Sequence, residues 1–228
     1  MNPPSTYCQI TTACNMSCDH CLYDCKSEGD YMELDTFKNA LRWHKGNLFN
    51  IGGGEPTLHP NLFAFIDMAL SKKIRVWMTI NGKITDLALN LAYMTEQIPD
   101  FDCKLSQDKW HDPIDEKVVN AFRRLDKVSY FRGVPIVSGR WKEGSRKTCA
   151  NSNKPFITPD GNVYQCGCKG ARTVGDVFDG FYPIDGKWKC DLGLPHEQGM
   201  KTKTFKGVDY GIVVKQEKEL TERISIDI

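Results

Sequence analysis

Apolar positions along this chain recur with two periods, and the two alternate. Residues 7–12 (Tyr-Cys-Gln-Ile-Thr-Thr), 48–51, 74–80 and 101–106 are short runs rich in β-branched, aromatic and leucine side chains, the composition of buried strands. Between them lie stretches with helical spacing. Residues 33–45 place Leu34, Phe37, Leu41 and His44 on one side and stop at Gly46. A second helix opens at Pro60 and lines up Leu62, Phe65, Ile66 and Ala69, and a third covers residues 86–94. Asp112-Pro113 reads as the N-cap and first position of a helix running to Leu125. Residues 130–137 read as a fifth strand, and 208–214 as a late strand packing on the core or covering its open side. Strand and helix in alternation predict an α/β fold around a parallel sheet.

The segments with chemical potential all follow a strand, which in β/α barrels is the active-site face. Cys14-Asn-Met-Ser-Cys18-Asp-His-Cys21 puts three thiols within eight residues. Three thiolates on one loop can hold three corners of a [4Fe-4S] cube and leave one iron open. They can also hold zinc with Cys25 or His20 as fourth ligand. The second strand runs into Gly53-Gly54-Glu55, the third ends at Asn81-Gly82, and the fourth leads to Ser106-Gln107-Asp108 with Trp110 and His111 on the same loop.

Over residues 5–140 or so, this order of motifs resembles the radical SAM (S-adenosylmethionine) superfamily. Cys14, Cys18 and Cys21 match that family's CX3CX2C loop, and Gly53-Gly54-Glu55 its Gly-Gly-Glu motif. Asn81-Gly82 is similar to a Thr-Asn-Gly motif in which Ile80 stands for Thr, and Ser106 with Asp108 to a Ser-x-Asp motif. The resemblance implies a partial (β/α)6 barrel, about five units of which are visible. It implies SAM bound at Gly53, Gly54, Glu55, Asn81, Ser106 and Asp108. His20 would pack near the cluster or the adenine rather than ligate iron. It further implies a [4Fe-4S] cluster on Cys14, Cys18 and Cys21, reductive cleavage of SAM to a 5′-deoxyadenosyl radical, and removal of a substrate hydrogen atom. The catalytic acid or radical-quenching residue is not identified, with Cys103, the Trp110/His111 loop and Tyr164 as candidates.

A second cysteine group follows. Cys149 is separated from Gly161 by eleven residues, and Gly161 from Cys166 by four. This spacing resembles the opening of SPASM and twitch extensions, and the intervening 156–164 reads as a β-hairpin turning at Asp160-Gly161. Cys149, Cys166, Cys168 and Cys190 would then hold a second, auxiliary [4Fe-4S] cluster in a small twitch-like extension. Zinc or free structural thiols remain alternatives there. The implied organisation is a radical SAM core at 1–145, an auxiliary-cluster segment at 146–195, and a tail at 196–228 packing on the core. Cys8, Cys25 and Cys103 read as buried thiols.

Composition narrows the rest. At 228 residues the chain can bury a core, and a net charge of +1 announces neither nucleic acid nor membrane. No run of 18 apolar residues exists, the first residues lack signal-peptide character, and ten clustered cysteines favour metal binding in a reducing cytosol. The expected location is cytoplasmic, with an electron donor such as flavodoxin or ferredoxin. One local feature points to DNA or a nucleotide as substrate. Arg123, Arg124, Lys127, Arg132, Arg140, Lys142, Arg146 and Lys147 are interleaved with Tyr130, Phe131 and Trp141. The resulting expectation is an isomerase or related enzyme acting on a modified thymine base, flipped out of a duplex to reach the radical. The alternatives are radical modification of a peptide or small molecule, and a non-catalytic iron–sulfur or zinc nucleic-acid-binding module.

Overall fold

The computed structural model describes residues 5–129, 140, 154–168 and 171–181, with the backbone of 202–205 and 208–211. Four strands, each followed by a helix, build the first half: β1 (Thr6–Thr11), α1 (Leu34–Trp43), β2 (Leu48–Gly53), α2 (Leu62–Ser71), β3 (Arg75–Ile80), α3 (Thr85–Gln97), β4 (Phe101–Ser106) and α4 (Glu116–Arg124). A short β5 (Val128–Ser129) follows. Then come β6 (Phe156–Ile157), β7 (Asn162–Tyr164), β8 (Thr173–Asp176) and β9 (Gly180–Phe181). The strands β10 (Thr202–Phe205) and β11 (Val208–Gly211) form an antiparallel pair of their own.

The main sheet has the order β5-β4-β3-β2-β1-β6-β7-β8-β9. Strands β1 to β5 pair in parallel in chain order, as successive strands of a β/α barrel do. Strand β6 adds in parallel to the other side of β1, and β7 to β9 continue antiparallel from it. The expected hairpin is therefore present, turning through Gly161 at φ +88°, and it extends the core sheet. Ile157, Val163, Val174 and Val177 belong to the same apolar cluster as β1 to β4.

Strands β1 and β2 are buried almost throughout, as parallel strands covered by helices on their faces must be. Their cover includes Phe37, which stacks on Phe65 with ring centroids 4.1 Å apart and meets Phe49 edge-on. The Trp43 indole donates to the Val177 carbonyl at 3.0 Å, tying α1 to the segment after β8. Among the positions expected on the buried side of α1, Leu34 is exposed, because it begins the helix; Thr36 and Ala40 join Phe37 and Leu41 inside.

Two expectations about α4 and its surroundings change. The helix is capped by Asp115, whose carboxylate accepts from Lys117 N–H at 2.9 Å. Asp112 lies too early for that and pairs instead with Lys83. Lys127 is not part of a solvated basic face. It is 2% exposed, and its ammonium sits 2.8 Å from Asp102. The strand expected at 130–137 lies outside the described residues, as do Arg132, Lys142, Arg146, Lys147, Tyr130, Phe131 and Trp141.

Candidate functional site

The cysteine loop leaves the end of β1, Gly53-Gly54-Glu55 the end of β2, Asn81 the end of β3, and the Ser106–His111 segment the end of β4. All four therefore share one edge of the parallel sheet. The glycines are required by the cysteine loop itself. A Cβ on Gly54 would come within 2.2 Å of the Ala13 carbonyl oxygen, and one on Gly53 within 2.7 Å of the Thr11 carbonyl oxygen. Without side chains, the Gly54 and Glu55 amides donate to Thr11 and Ala13 carbonyls at 2.8 Å each, fastening the loop's first residues to the end of β2. The close approach that these glycines permit here is to the loop carrying Cys14.

Glu55 is 1% exposed. Its Oε1 accepts from the Thr57 amide at 3.1 Å and the Thr57 hydroxyl at 2.6 Å, and its Oε2 accepts from the Asn81 amide at 2.7 Å. Burial pushes its carboxyl up, against the pull of those donors. A carboxylate offers about four acceptor sites, so one remains on Oε2 for a further donor. Asn81 spends its side chain within the protein. Its amide NH2 donates to Asn15 Oδ1 at 2.7 Å and approaches Cys14 Sγ at 3.9 Å, and its carbonyl accepts from the Lys83 amide at 3.0 Å. Lys83 in turn donates to the Asn15 carbonyl at 3.0 Å.

Cys14, Cys18 and Cys21 are part-exposed, whereas Cys8, Cys25 and Cys103 are buried as expected. The loop closes on itself through Cys14 N–H to Lys26 O at 2.6 Å and Cys21 N–H to Cys18 O at 3.1 Å. Burial lifts the Cys18 thiol to about 11, while a hydrogen bond with Cys25 lowers Cys21 to about 5. Among the described residues, one trio of His, Cys, Asp or Glu side chains has its ligand atoms all within 4.8 Å of one another: His20, Asp108 and His111.

His20, Asp108, Trp110 and His111 converge beside the loop. Asp108 accepts from the Trp110 amide at 3.0 Å, lies 2.8 Å from His111 Nδ1 and 3.4 Å from His20 Nε2. The His20 ring packs on Trp110 at 4.7 Å and on His111 at 5.4 Å. Burial lowers the His20 imidazole against the pull of Asp108. Ser106 ends β4 in register with Ser129. Sequence reasoning placed His20 and Asp108 in the site separately. Their contact could not be read from positions 88 residues apart.

In the second group, Cys166 and Cys168 are described, and Cys149 and Cys190 lie outside the described residues. Cys166-Gly167-Cys168 packs against the core. A Cβ on Gly167 would meet the Phe156 ring at 2.8 Å and the Tyr23 ring at 2.9 Å. Cys103, within β4, is fully buried. Arg140 also departs from the expected basic surface. It lies on the cysteine loop and donates to the Cys18 carbonyl at 2.8 Å. No helix of the described residues is long and apolar enough to cross a membrane.

Comparison with known proteins agrees with this geometry. Residues 8–101 match the Radical SAM superfamily. The chain is 35% identical over 91 residues to the mycofactocin maturase MftC of Mycobacterium tuberculosis (strain CDC 1551 / Oshkosh), covering 37% of this chain and 23% of that protein. It is 34% identical over 91 residues to the MftC of Mycolicibacterium smegmatis, with the same shares of each. The chain therefore spans under a quarter of the length of the curated relatives it matches. The solved structure of native anSMEcpe with bound AdoMet and Cp18Cys peptide superposes with a TM-score of 0.53 at 15% identity, covering 78% of this chain and 79% of that one, a likeness of fold.

Proposed function

We propose, from the radical SAM enzyme domain that this chain carries at residues 8–101, that it is an enzyme modifying a peptide by radical chemistry. The observation that carries the reading is the link through Asn81, whose amide binds Glu55 while its side chain binds Asn15 between two loop cysteines. A cluster at Cys14, Cys18 and Cys21 would supply the electron that cleaves SAM to methionine and a 5′-deoxyadenosyl radical, which takes a hydrogen atom from the substrate.

The chain's own residues bind and orient. Glu55, held rigid by Thr57 and Asn81, offers Oε2 to the SAM amine, a charge-assisted hydrogen bond. Gly53 and Gly54 fix the cysteine loop against β2, and Asn81 sets its distance from Glu55. His20 and Trp110 offer adjacent rings, tilted 34° to one another, for the adenine, with Asp108 fixing both histidines, and Ser106 offers a hydroxyl at the end of β4. Cys166 and Cys168, with Cys149 and Cys190, would hold an auxiliary cluster. A flavodoxin or ferredoxin in the cytosol would supply the electron.

The peptide class rests on the relatives' own descriptions: a maturase, and a fold neighbour with a bound peptide. The expectation of a thymine-derived nucleobase loses its main support. Two of the four described residues of its basic stretch, Lys127 and Arg140, are engaged inside the fold. The test is anaerobic reconstitution with iron and sulfide, then SAM and dithionite. Formation of 5′-deoxyadenosine by the wild type and none by Cys14→Ala, Cys18→Ala or Cys21→Ala is the expected result. Equal formation by a variant lacking its loop cluster would overturn it.

A further inference from the structure

The cysteine loop is gripped by a residue outside the matched region. Arg140 Nη1 donates to the Cys18 carbonyl at 2.8 Å and Nη2 to the Cys25 carbonyl. Its backbone N–H donates to the Cys21 carbonyl at 2.9 Å. One residue thus satisfies three carbonyls spread along the loop, and its planar fork suits two of them at once. Its acidic partner among the described residues is Asp24, at 3.4 Å from Nε, longer than the roughly 2.7–2.9 Å of a tight charge-assisted bond. The guanidinium is 24% exposed. A permanent positive charge is therefore held, only loosely compensated, against the backbone of one proposed ligand, Cys18, and of its loop neighbour Cys25.

We propose that Arg140 is the positioning residue of the cysteine loop and that its charge raises the reduction potential of the cluster held there. This rests on the cluster reading above. Reduction adds one negative charge to the cluster, and a cation held against the loop that carries it favours the reduced form. The carbonyl contacts fix where that cation stands. Glutamine can keep a carbonyl contact but loses the charge. Lysine keeps the charge but presents a single ammonium in place of the fork.

The test uses the full chain, reconstituted anaerobically and without SAM, with iron counted per chain and the reduced cluster followed by electron paramagnetic resonance against applied potential. At a fixed potential, Arg140→Gln is expected to lower the reduced-to-oxidised ratio about tenfold, a midpoint shift of about 59 mV for one electron. Arg140→Lys is expected to stay within about threefold of wild type. If Arg140→Gln retains no iron, a cluster at the wild-type potential in Arg140→Lys supports the proposal equally. Equal shifts in both variants, equal loss of iron in both, or wild-type potentials in both overturn it. A wild type that binds no iron fails the cluster reading itself, so the two failures are distinct.

Discussion

The Asn81 amide donates to Glu55 Oε2 at 2.7 Å, joining the ends of β3 and β2. The same residue's side chain holds Asn15 at 2.7 Å, so one asparagine sets the spacing between the carboxylate and the cysteine loop. Asn81→Ala leaves the backbone bond to Glu55 but removes the bridge to Asn15 and the acceptor for the Lys83 amide. At about 1 kcal/mol for each lost bond, a destabilisation of about 1–3 kcal/mol is expected. Iron content should fall with it. Urea unfolding and iron analysis check both.

Glu55→Gln should separate cofactor binding from cluster retention. Glutamine preserves shape but exchanges a charge-assisted bond for a neutral one at the proposed SAM amine. That difference of about 1–2 kcal/mol corresponds to roughly 5- to 30-fold weaker SAM binding. Iron content should be unchanged, because no loop cysteine bonds to this carboxylate. Equilibrium dialysis with labelled SAM measures the first, and unchanged affinity would remove Glu55 from the role.

Gly54→Ala should be damaging out of proportion to its size. The new Cβ meets backbone, the Ala13 carbonyl carbon at 2.7 Å and its oxygen at 2.2 Å, and backbone cannot rotate away as a side-chain tip can. Overpacking of this kind costs about 1–3 kcal/mol. The displaced segment leads into Cys14. The expected readout is lower stability together with poor cluster incorporation, and a variant with normal iron would contradict it.

The buried pair of Lys127 and Asp102, with ammonium and carboxylate 2.8 Å apart, predicts an asymmetry. Asp102→Ala removes the carboxylate that compensates a buried ammonium and should cost about 3–5 kcal/mol. The double change Asp102→Leu with Lys127→Met replaces the pair by apolar volume and should be far less destabilising than the single one. Denaturant unfolding of the three proteins decides it. A double variant as unstable as the single would refute the argument.

Lys127 also marks what sequence could not supply. The alternation of strand and helix gave the parallel core, because a residue's period depends on its own neighbours. The four positions predicted to face inward from α2, Leu62, Phe65, Ile66 and Ala69, are all buried. Motif spacing likewise brought Cys14, Glu55 and Asn81 to one edge. What it missed depends on partners distant in the chain. Lys127 reads as surface charge until Asp102 is seen beside it. Arg140 reads the same way until the carbonyls of the cysteine loop are seen under it. The N-cap was misplaced because Asp112 and Asp115 are both good caps, and only the latter's carboxylate reaches a free amide of the first turn.

Acid should weaken the fold through His44 before it reaches the carboxylates. Its ring lies against Phe49 at 5.2 Å, its Nδ1 is 2.9 Å from the Thr6 hydroxyl, and burial depresses its pKa from 6.5 to about 4. His59, whose ring bonds the Met32 carbonyl, is depressed by burial in the same direction. Between the two His44 values the unfolded chain binds a proton that the folded chain refuses, and stability rises with pH wherever the unfolded state binds more protons. This contribution is therefore complete above pH 6.5 and is lost as pH falls toward 4. Urea midpoints taken across that window should decline for the wild type and decline less steeply for His44→Gln, which has no proton to take up. An unchanged slope in the variant would mean that His44 is accessible to protonation in the folded chain.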